Sequence, residues 1–183
     1  MKKTPEKVVR QQLLDLAKHL DQLANRVPMN LAGDRWHVAA KIPRTPGWYF
    51  IETDAPVEIL QRQHRPQTRY TQKNGKEADV KIYDISGSAA RYADDLKDCW
   101  NIEQVYSGLA SNLQDRAREH TLPDLGTAAL ALGLYPELRN YAWTFCYVEM
   151  QRFLPNASCP KMLLRLGEQM WRGMNGWPLL SRA

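Results

Sequence analysis

Side chains able to handle a phosphate ester lie in four short fragments of the chain: Gly47-Trp48-Tyr49, Tyr106-Ser107-Gly108, Arg116 with His120, and Glu168. Phosphodiester hydrolysis needs a deprotonated nucleophile, neutralisation of charge around the five-coordinate phosphorus, and stabilisation of the departing alkoxide. A carboxylate such as Glu168 can hold a hard divalent ion that keeps several waters and meets phosphate oxygens directly. Arg116 offers a planar fork of donors suited to two phosphate oxygens and does not lose its charge. A phenol with an ordinary pKa near 10 is a poor base at neutral pH, but a neighbouring cation makes the phenolate more accessible. Arg116 and His120 stand four apart, so a helix would place them on one face.

Taken singly, each fragment has an ordinary structural reading. Gly47-Trp48-Tyr49 is a common way to start a strand, and Tyr106-Ser107-Gly108 is a strand-end tyrosine followed by a turn glycine. Arg116 has Glu119 within ion-pairing reach, and Glu168 is flanked by Arg165 and Arg172 as in a surface ion-pair ladder. In their order, however, the fragments resemble the GIY-YIG nuclease superfamily. There a first strand bears Gly-x-Tyr, and a second bears Tyr-x-Gly followed by a helix with Arg and often His four residues on. A later helix bears a metal-binding Glu. The run from Tyr106 to Arg116, followed by His120, resembles the second block throughout, including Asn112-Leu113 before the arginine. The likeness spans roughly residues 43 to 181.

The resemblance implies that Tyr49 activates the attacking water and Tyr106 orients it or shares its proton. His120 would assist proton transfer or contact a phosphate, and Glu168 would bind Mg²⁺ or Mn²⁺. The implied activity is a metal-dependent endonuclease acting on nucleic acid, DNA rather than RNA. One alternative is a degenerate member that binds nucleic acid or a protein partner without cutting. Another is a chance likeness in an interaction protein organised by its N-terminal helix. Trp48 and Ser107 replace the usual aliphatic residues of the two tripeptides. The family often carries an Asn after the Glu, a role open here to Asn175 or Ser181. Glu149 is a rival metal carboxylate at a strand end, but the family's carboxylate follows the third strand on a helix, which favours Glu168.

These groups need a scaffold. Glu6 to Val27 carries Val9, Leu13, Leu16, Leu20, Leu23 and Val27 at alternating spacings of four and three, which predicts an amphipathic helix ended by Pro28. That helix, within a segment 1–28, either docks on the core or forms a homodimer. Gly47 to Ile51 is aromatic and β-branched and predicts a first strand. A second is expected from Ile102 to Ser107, then a capping box of Ser111 with Gln114 opening a helix to about His120. Pro123 and Gly126 break the chain before a short apolar helix to Leu134. The third strand, Tyr141 to Glu149, places Trp143, Phe145 and Tyr147 on one face and Thr144, Cys146 and Val148 on the other, as a central strand covered on both sides would. Pro160 then opens a last helix through about Met174, with Leu163, Leu166, Gly167, Met170 and Met174 inward. The expected fold is a small α/β sandwich over residues 29–183, with a central three-stranded sheet flanked by helices.

Between the first two strands lies an insertion of about 55–100, long enough to carry structure or function of its own. It holds Arg62, Arg65, Arg69, Lys73 and Lys76 with no acid among them. Asn74-Gly75 predicts a hairpin returning through Val80-Lys81-Ile82. Ala89 to Asp98 reads as a helix. The basic run is either a solvated hairpin or a grip on the nucleic-acid backbone through Arg62, Arg65, Arg69 and Lys73.

The bulk properties agree with this frame. The 183 residues suit one domain, and 44% hydrophobic content is ordinary for a globular chain. A net charge of +5 fits a polyanionic partner. Cys99, Cys146 and Cys159 form no CxxC, and His19, His37, His64 and His120 lack metal-ligand spacing, so a reducing cytoplasm is expected. The basic start is followed by no apolar stretch of the signal-peptide kind, and the longest apolar run, Ala128 to Leu134, is far shorter than a membrane span.

Overall fold

The computed structural model describes residues 11, 14–15, 18–19, 22–33, 35–66, 69–71, 74–79, 82–93, 98–122, 129–152 and 160–181. Its centre is a four-stranded antiparallel sheet in the order β1-β7-β2-β6, where β1 is Asn25–Pro28, β2 is Gly47–Thr53, β6 is Tyr106–Ala110 and β7 is Trp143–Glu149. Short helices α1 (Trp36–Ala39) and α2 (Val57–Gln61) flank β2 in sequence. The insertion contributes the hairpin β3 (Arg69–Thr71) and β4 (Glu77–Asp79), helix α3 (Ile85–Ala89) and strand β5 (Trp100–Asn101). Helix α4 (Leu113–Thr121) follows β6; helix α5 (Pro160–Asn175) and strand β8 (Trp177–Pro178) end the described chain.

Alternation along the two central strands divides the interior into two cores. Tyr49 and Ile51 of β2 join Trp143, Phe145 and Tyr147 of β7 in a large cluster that also takes Leu113 and Ala117 of α4. Trp48, Phe50, Cys146 and Val148 face the other way, toward Leu163, Leu164 and Trp171 of α5. The sheet therefore lies between two layers, and both faces of the aromatic strand Trp143–Glu149 are covered as its sequence predicts. Cys99 and Cys146 are free thiols. Among the described residues no helix is long and apolar enough to cross a membrane.

Several expectations need correction. The sheet has four strands rather than three, because Asn25–Pro28 pairs with β7 instead of finishing a helix. Pro28 is tolerated there because it closes an edge strand. The described positions between 11 and 23 are helical; Val9, Leu13, Leu16 and Leu20 of the apolar stripe lie outside the described residues, as does Cys159. The second core strand is Tyr106–Ala110, later than expected, since Ile102–Gln104 form a bend. Its helix is capped by Asn112, whose side chain accepts from the Asp115 amide, and not by Ser111.

In the insertion the hairpin forms about Gly75, at φ +78°, but returns through Glu77–Asp79; Val80 and Lys81 lie outside the described residues. Of the helix expected from Ala89 to Asp98, residues 94–97 lie outside the described residues; the described helix is Ile85–Ala89, with Asp84 as N-cap accepting from Gly87 N–H at 3.0 Å. Around Leu134 the chain forms two short 3₁₀ segments, Leu132–Leu134 and Pro136–Asn140. The expected breakers Pro123 and Gly126 lie outside the described residues. On α5 the inward residues are Leu163, Leu164, Gly167 and Trp171, with Met170 partly buried against the same cluster as expected, while Leu166 and Met174 are exposed.

Candidate active site

Helix α4 is pinned before it can present any side chain. Leu113 N–H donates to Thr45 O at 3.1 Å and Gln114 N–H to Pro43 O at 3.1 Å, so the loop entering β2 satisfies the helix's first amides. Asn112 satisfies the Asp115 amide as N-cap. Leu113 and Ala117 then sit in the core, which turns Arg116 and His120 toward Tyr49 on β2.

Tyr49 is 2% exposed, and its hydroxyl is the hub of the cluster. It accepts from Arg116 Nε at 2.9 Å and lies 3.0 Å from His120 Nε2. His120 Nδ1 accepts from the Leu130 amide at 3.3 Å, so the hydrogen-bond network assigns the ring proton to Nε2, which donates to Tyr49. Burial, helped by the Arg116 charge, holds this imidazole well below its ordinary pKa and therefore neutral. His120 is 0% exposed and is not among the residues lining the cleft; its contact with the site is through the Tyr49 hydroxyl. Arg116 also donates to Tyr106 Oη at 3.4 Å and to Glu119 Oε2 at 2.8 Å.

Tyr49 and Tyr106 rings stack with centroids 6.2 Å apart. Burial pushes Tyr49 well above the ordinary phenol pKa and its neighbour Tyr106 adds to the rise, while Arg116 opposes it. Burial raises Tyr106 as well, against the same guanidinium. For Arg116, burial works against the charge, but the two phenols and Glu119 outweigh it and leave the group firmly protonated.

Position 108 explains how a side chain from an inner strand reaches this point. Gly108 on the edge strand β6 pairs with Tyr49, and a Cβ there would overlap the Tyr49 hydroxyl. The missing side chain gives the phenol room to lie across the edge of the sheet. A second close approach seats α5: a Cβ at Gly167 would come within 2.8 Å of Trp48 Nε1, which donates to Leu164 O at 2.7 Å. Trp171 stacks on Phe50 with centroids 5.5 Å apart. With α5 fixed in this way, Glu168 and Arg172 meet the edge strand from the face opposite α4.

Glu168 Oε1 accepts from Arg172 Nη2 at 2.6 Å, and the two side chains are 11% and 9% exposed. Arg172 is held further by Ser107, through Nε to Oγ at 2.8 Å and Nη2 to the carbonyl at 3.1 Å, and by the Trp177 ring 4.6 Å away. Burial raises the Glu168 carboxyl above its ordinary pKa, with Arg172 and Ser107 opposing. Tyr49, Tyr106, Arg116, Glu168 and Arg172 line one cleft of about 260 Å³, together with Tyr83 from the insertion.

Other expected residues lie elsewhere. Arg62 is ion-paired with Glu137, and Arg65 donates to Ile82 O at 3.3 Å. Arg69 stands on the hairpin strand β3, and Lys73 lies outside the described residues. Glu149 accepts from Thr45 Oγ1 at 2.8 Å and does not line the cleft. Asn175 donates to Trp171 O at 2.9 Å, whereas Ser181 Oγ accepts from the Ser107 amide at 3.0 Å, directly behind the edge strand. Sequence reasoning missed Arg172 as a cleft residue, although its spacing of four from Glu168 was visible. Tyr83 was missed as well. It accepts from Ser88 Oγ at 3.1 Å, donates to Leu180 O and meets Tyr106 edge-on, and no spacing signal reveals it.

A resident ion would find one carboxylate here, and among the described residues no group of three His, Cys, Asp or Glu could surround it. That donor set fits a largely hydrated Mg²⁺ or Mn²⁺, which needs only one or two carboxylates and takes its remaining ligands from water and phosphate. Glu168 would hold it, sharing its charge with Arg172. The chain matches no family model, no curated protein and no solved structure.

Proposed function

We propose that the protein is an endonuclease of GIY-YIG type, hydrolysing phosphodiester bonds of nucleic acid, with DNA as the preferred substrate. One observation carries the reading. Two phenols, a guanidinium and a carboxylate from four elements meet in one cleft, and a buried neutral histidine fixes the innermost phenol.

In this mechanism Arg116 binds the scissile phosphate. Its contacts to Tyr49, Tyr106 and Glu119 use one N–H on each nitrogen and leave two N–H groups of the fork for phosphate oxygens. Tyr49, as phenolate, takes a proton from the attacking water as the new P–O bond forms. The Arg116 and His120 donors that already point at its oxygen stabilise that anion. Tyr106, at the cleft side of Tyr49, orients the water. A divalent ion at Glu168, when bound, supplies charge neutralisation for the phosphate and the departing oxygen. The leaving alkoxide takes its proton from solvent water. The basic run of the insertion would add long-range attraction for the nucleic-acid backbone, with Arg62 drawn off by its ion pair to Glu137.

A second reading is a binding module without cleavage. The Glu168–Arg172 pair favours it, because a guanidinium at 2.6 Å already neutralises the carboxylate. Incubation of the chain with plasmid, single-stranded DNA and RNA, with and without Mg²⁺ or Mn²⁺, separates the two. Metal-dependent strand scission that Glu168→Ala and Tyr49→Phe both abolish is the expected result. Binding of all three nucleic acids without any scission would leave the second reading in place.

A further inference from the structure

The cleft has a larger neighbour that phosphodiester chemistry does not use. A cavity of about 520 Å³ adjoins it through Leu109 and Arg116, which line both. This volume falls in the range of about 300–1,000 Å³ typical of small-molecule sites. Its apolar sides are Pro46, Leu109 and Leu164, and its polar rim is Asn112 and Asp115 at the start of α4 with Glu119 in its last turn.

The chemistry of that rim selects its occupant. Asp115 and Glu119 put two carboxylates on the rim against the single cation Arg116, which favours a donor over an anion there. Each has one oxygen engaged, Asp115 Oδ2 by Asn112 Nδ2 at 2.7 Å and Glu119 Oε2 by Arg116 Nη1 at 2.8 Å, and each keeps acceptor capacity on the other. A flat, apolar group with an amino donor on its edge fits both the sides and the rim. Because Arg116 lies on the boundary, a phosphate held in the cleft would deliver its neighbouring nucleoside into this cavity.

We infer that the cavity is a nucleobase subsite beside the scissile phosphate, taking an unstacked base that carries an exocyclic amine. The inference rests on the phosphodiester reading of the cleft and adds a substrate class to it. The base next to the cut is single-stranded or extruded from its helix, and cytosine or adenine is preferred over thymine, which offers no amino donor.

Amide chemical-shift titration of the full chain with the dinucleotides dCpdC and dTpdT, and with abasic deoxyribose phosphate, tests this. The expected result is that dCpdC moves the amides of Ser111, Asn112 and Asp115 together with those of Gly108 and Arg116, and binds about tenfold more tightly than dTpdT. The abasic probe should move only the Gly108 and Arg116 set. Asp115→Ala removes an exposed side chain and should bring dCpdC down toward dTpdT while leaving dTpdT unchanged. Shifts confined to Gly108 and Arg116 with both dinucleotides, or equal affinities in the unmodified chain, overturn the base subsite and leave the phosphodiester reading standing. No shift with any probe overturns both.

Discussion

Replacing Tyr49 by Phe deletes one oxygen and tests the hub of the cluster. In the folded chain that oxygen accepts from Arg116 Nε at 2.9 Å and from His120 Nε2 at 3.0 Å. The ring stays, so packing against Phe145, whose centroid is 5.2 Å away, is preserved. The Arg116 side chain is 20% exposed and can recover water. His120 cannot, being 0% exposed with its other nitrogen committed to Leu130, so its Nε2–H is left buried without an acceptor. An orphaned buried donor costs about 1–3 kcal/mol. For a chain of this size 1 kcal/mol moves the midpoint by roughly 2–4 °C, so Tyr49→Phe should lower Tm by about 2–12 °C. In a His120→Leu background the same change should cost far less, giving a coupling of about 1 kcal/mol or more in a double-mutant cycle. Thermal unfolding of the four proteins measures it. Equal costs in the two backgrounds would refute the hydrogen bond.

The same variant reads out catalysis independently of stability. Loss of a general base typically costs about 10²–10⁴ in rate. Because burial holds both phenols above their ordinary pKa, the phenolate fraction should grow about tenfold per pH unit from 7 to 10, and the cleavage rate with it. A destabilised Tyr49→Phe that retains its rate would transfer the base role to Tyr106.

Acid should destabilise the fold through His120. Its folded pKa is lowered, so the unfolded chain binds the extra proton first, and stability present above about pH 6.5 falls by up to about 1.4 kcal/mol per unit below it; denaturant midpoints from pH 7 to 5, compared with His120→Leu, check this. Gly108→Ala should cost about 1–3 kcal/mol by overpacking and displace the Tyr49 hydroxyl, seen as lower Tm together with loss of cleavage. Arg172→Gln should raise Mn²⁺ affinity about tenfold, because a charge-assisted bond no longer competes for Glu168; electron paramagnetic resonance titration of free Mn²⁺ measures it, with Glu168→Gln as the variant that binds none.

The parts of the fold legible in the sequence were those fixed by local pattern. Alternation along Trp143–Glu149 announces a strand buried on both faces, and Pro160 announces the last helix. What escaped was set by distant partners. Ser111 and Asn112 are both good caps, and the choice falls to Asn112 because Thr45 and Pro43 accept from Leu113 and Gln114. Helical period alone gave Leu166 and Met174 to the core, but the fit of Gly167 over Trp48 rotates α5 so that Leu164 and Trp171 enter instead. In the site, Tyr49, Tyr106, Arg116 and Glu168, singled out by their order along the chain, are brought to one cleft. The spacing of four already offered Arg172 to Glu168, but the burial of that pair, and the neutral state of His120 set by burial and a loop amide, are encoded by no spacing.

The two layers of this protein impose where a site of mixed origin can form. A sheet separates groups packed on its opposite faces by several ångströms of backbone, so a guanidinium from α4 and a carboxylate from α5 cannot meet across β2 or β7. They can meet only around an edge. One edge strand, β1, pairs with β7 and presents Pro28. The other, β6, has Gly108 opposite Tyr49, and its Ser107 amide is capped by Ser181 from the end of the described chain. The edge is therefore protected against pairing with another strand while its middle lacks a side chain. That combination lets Tyr49 lie across the sheet margin between Arg116 on one side and Glu168 on the other. A glycine at this register is thus as much a part of the site as the charged groups, because it decides whether the two layers share a cleft.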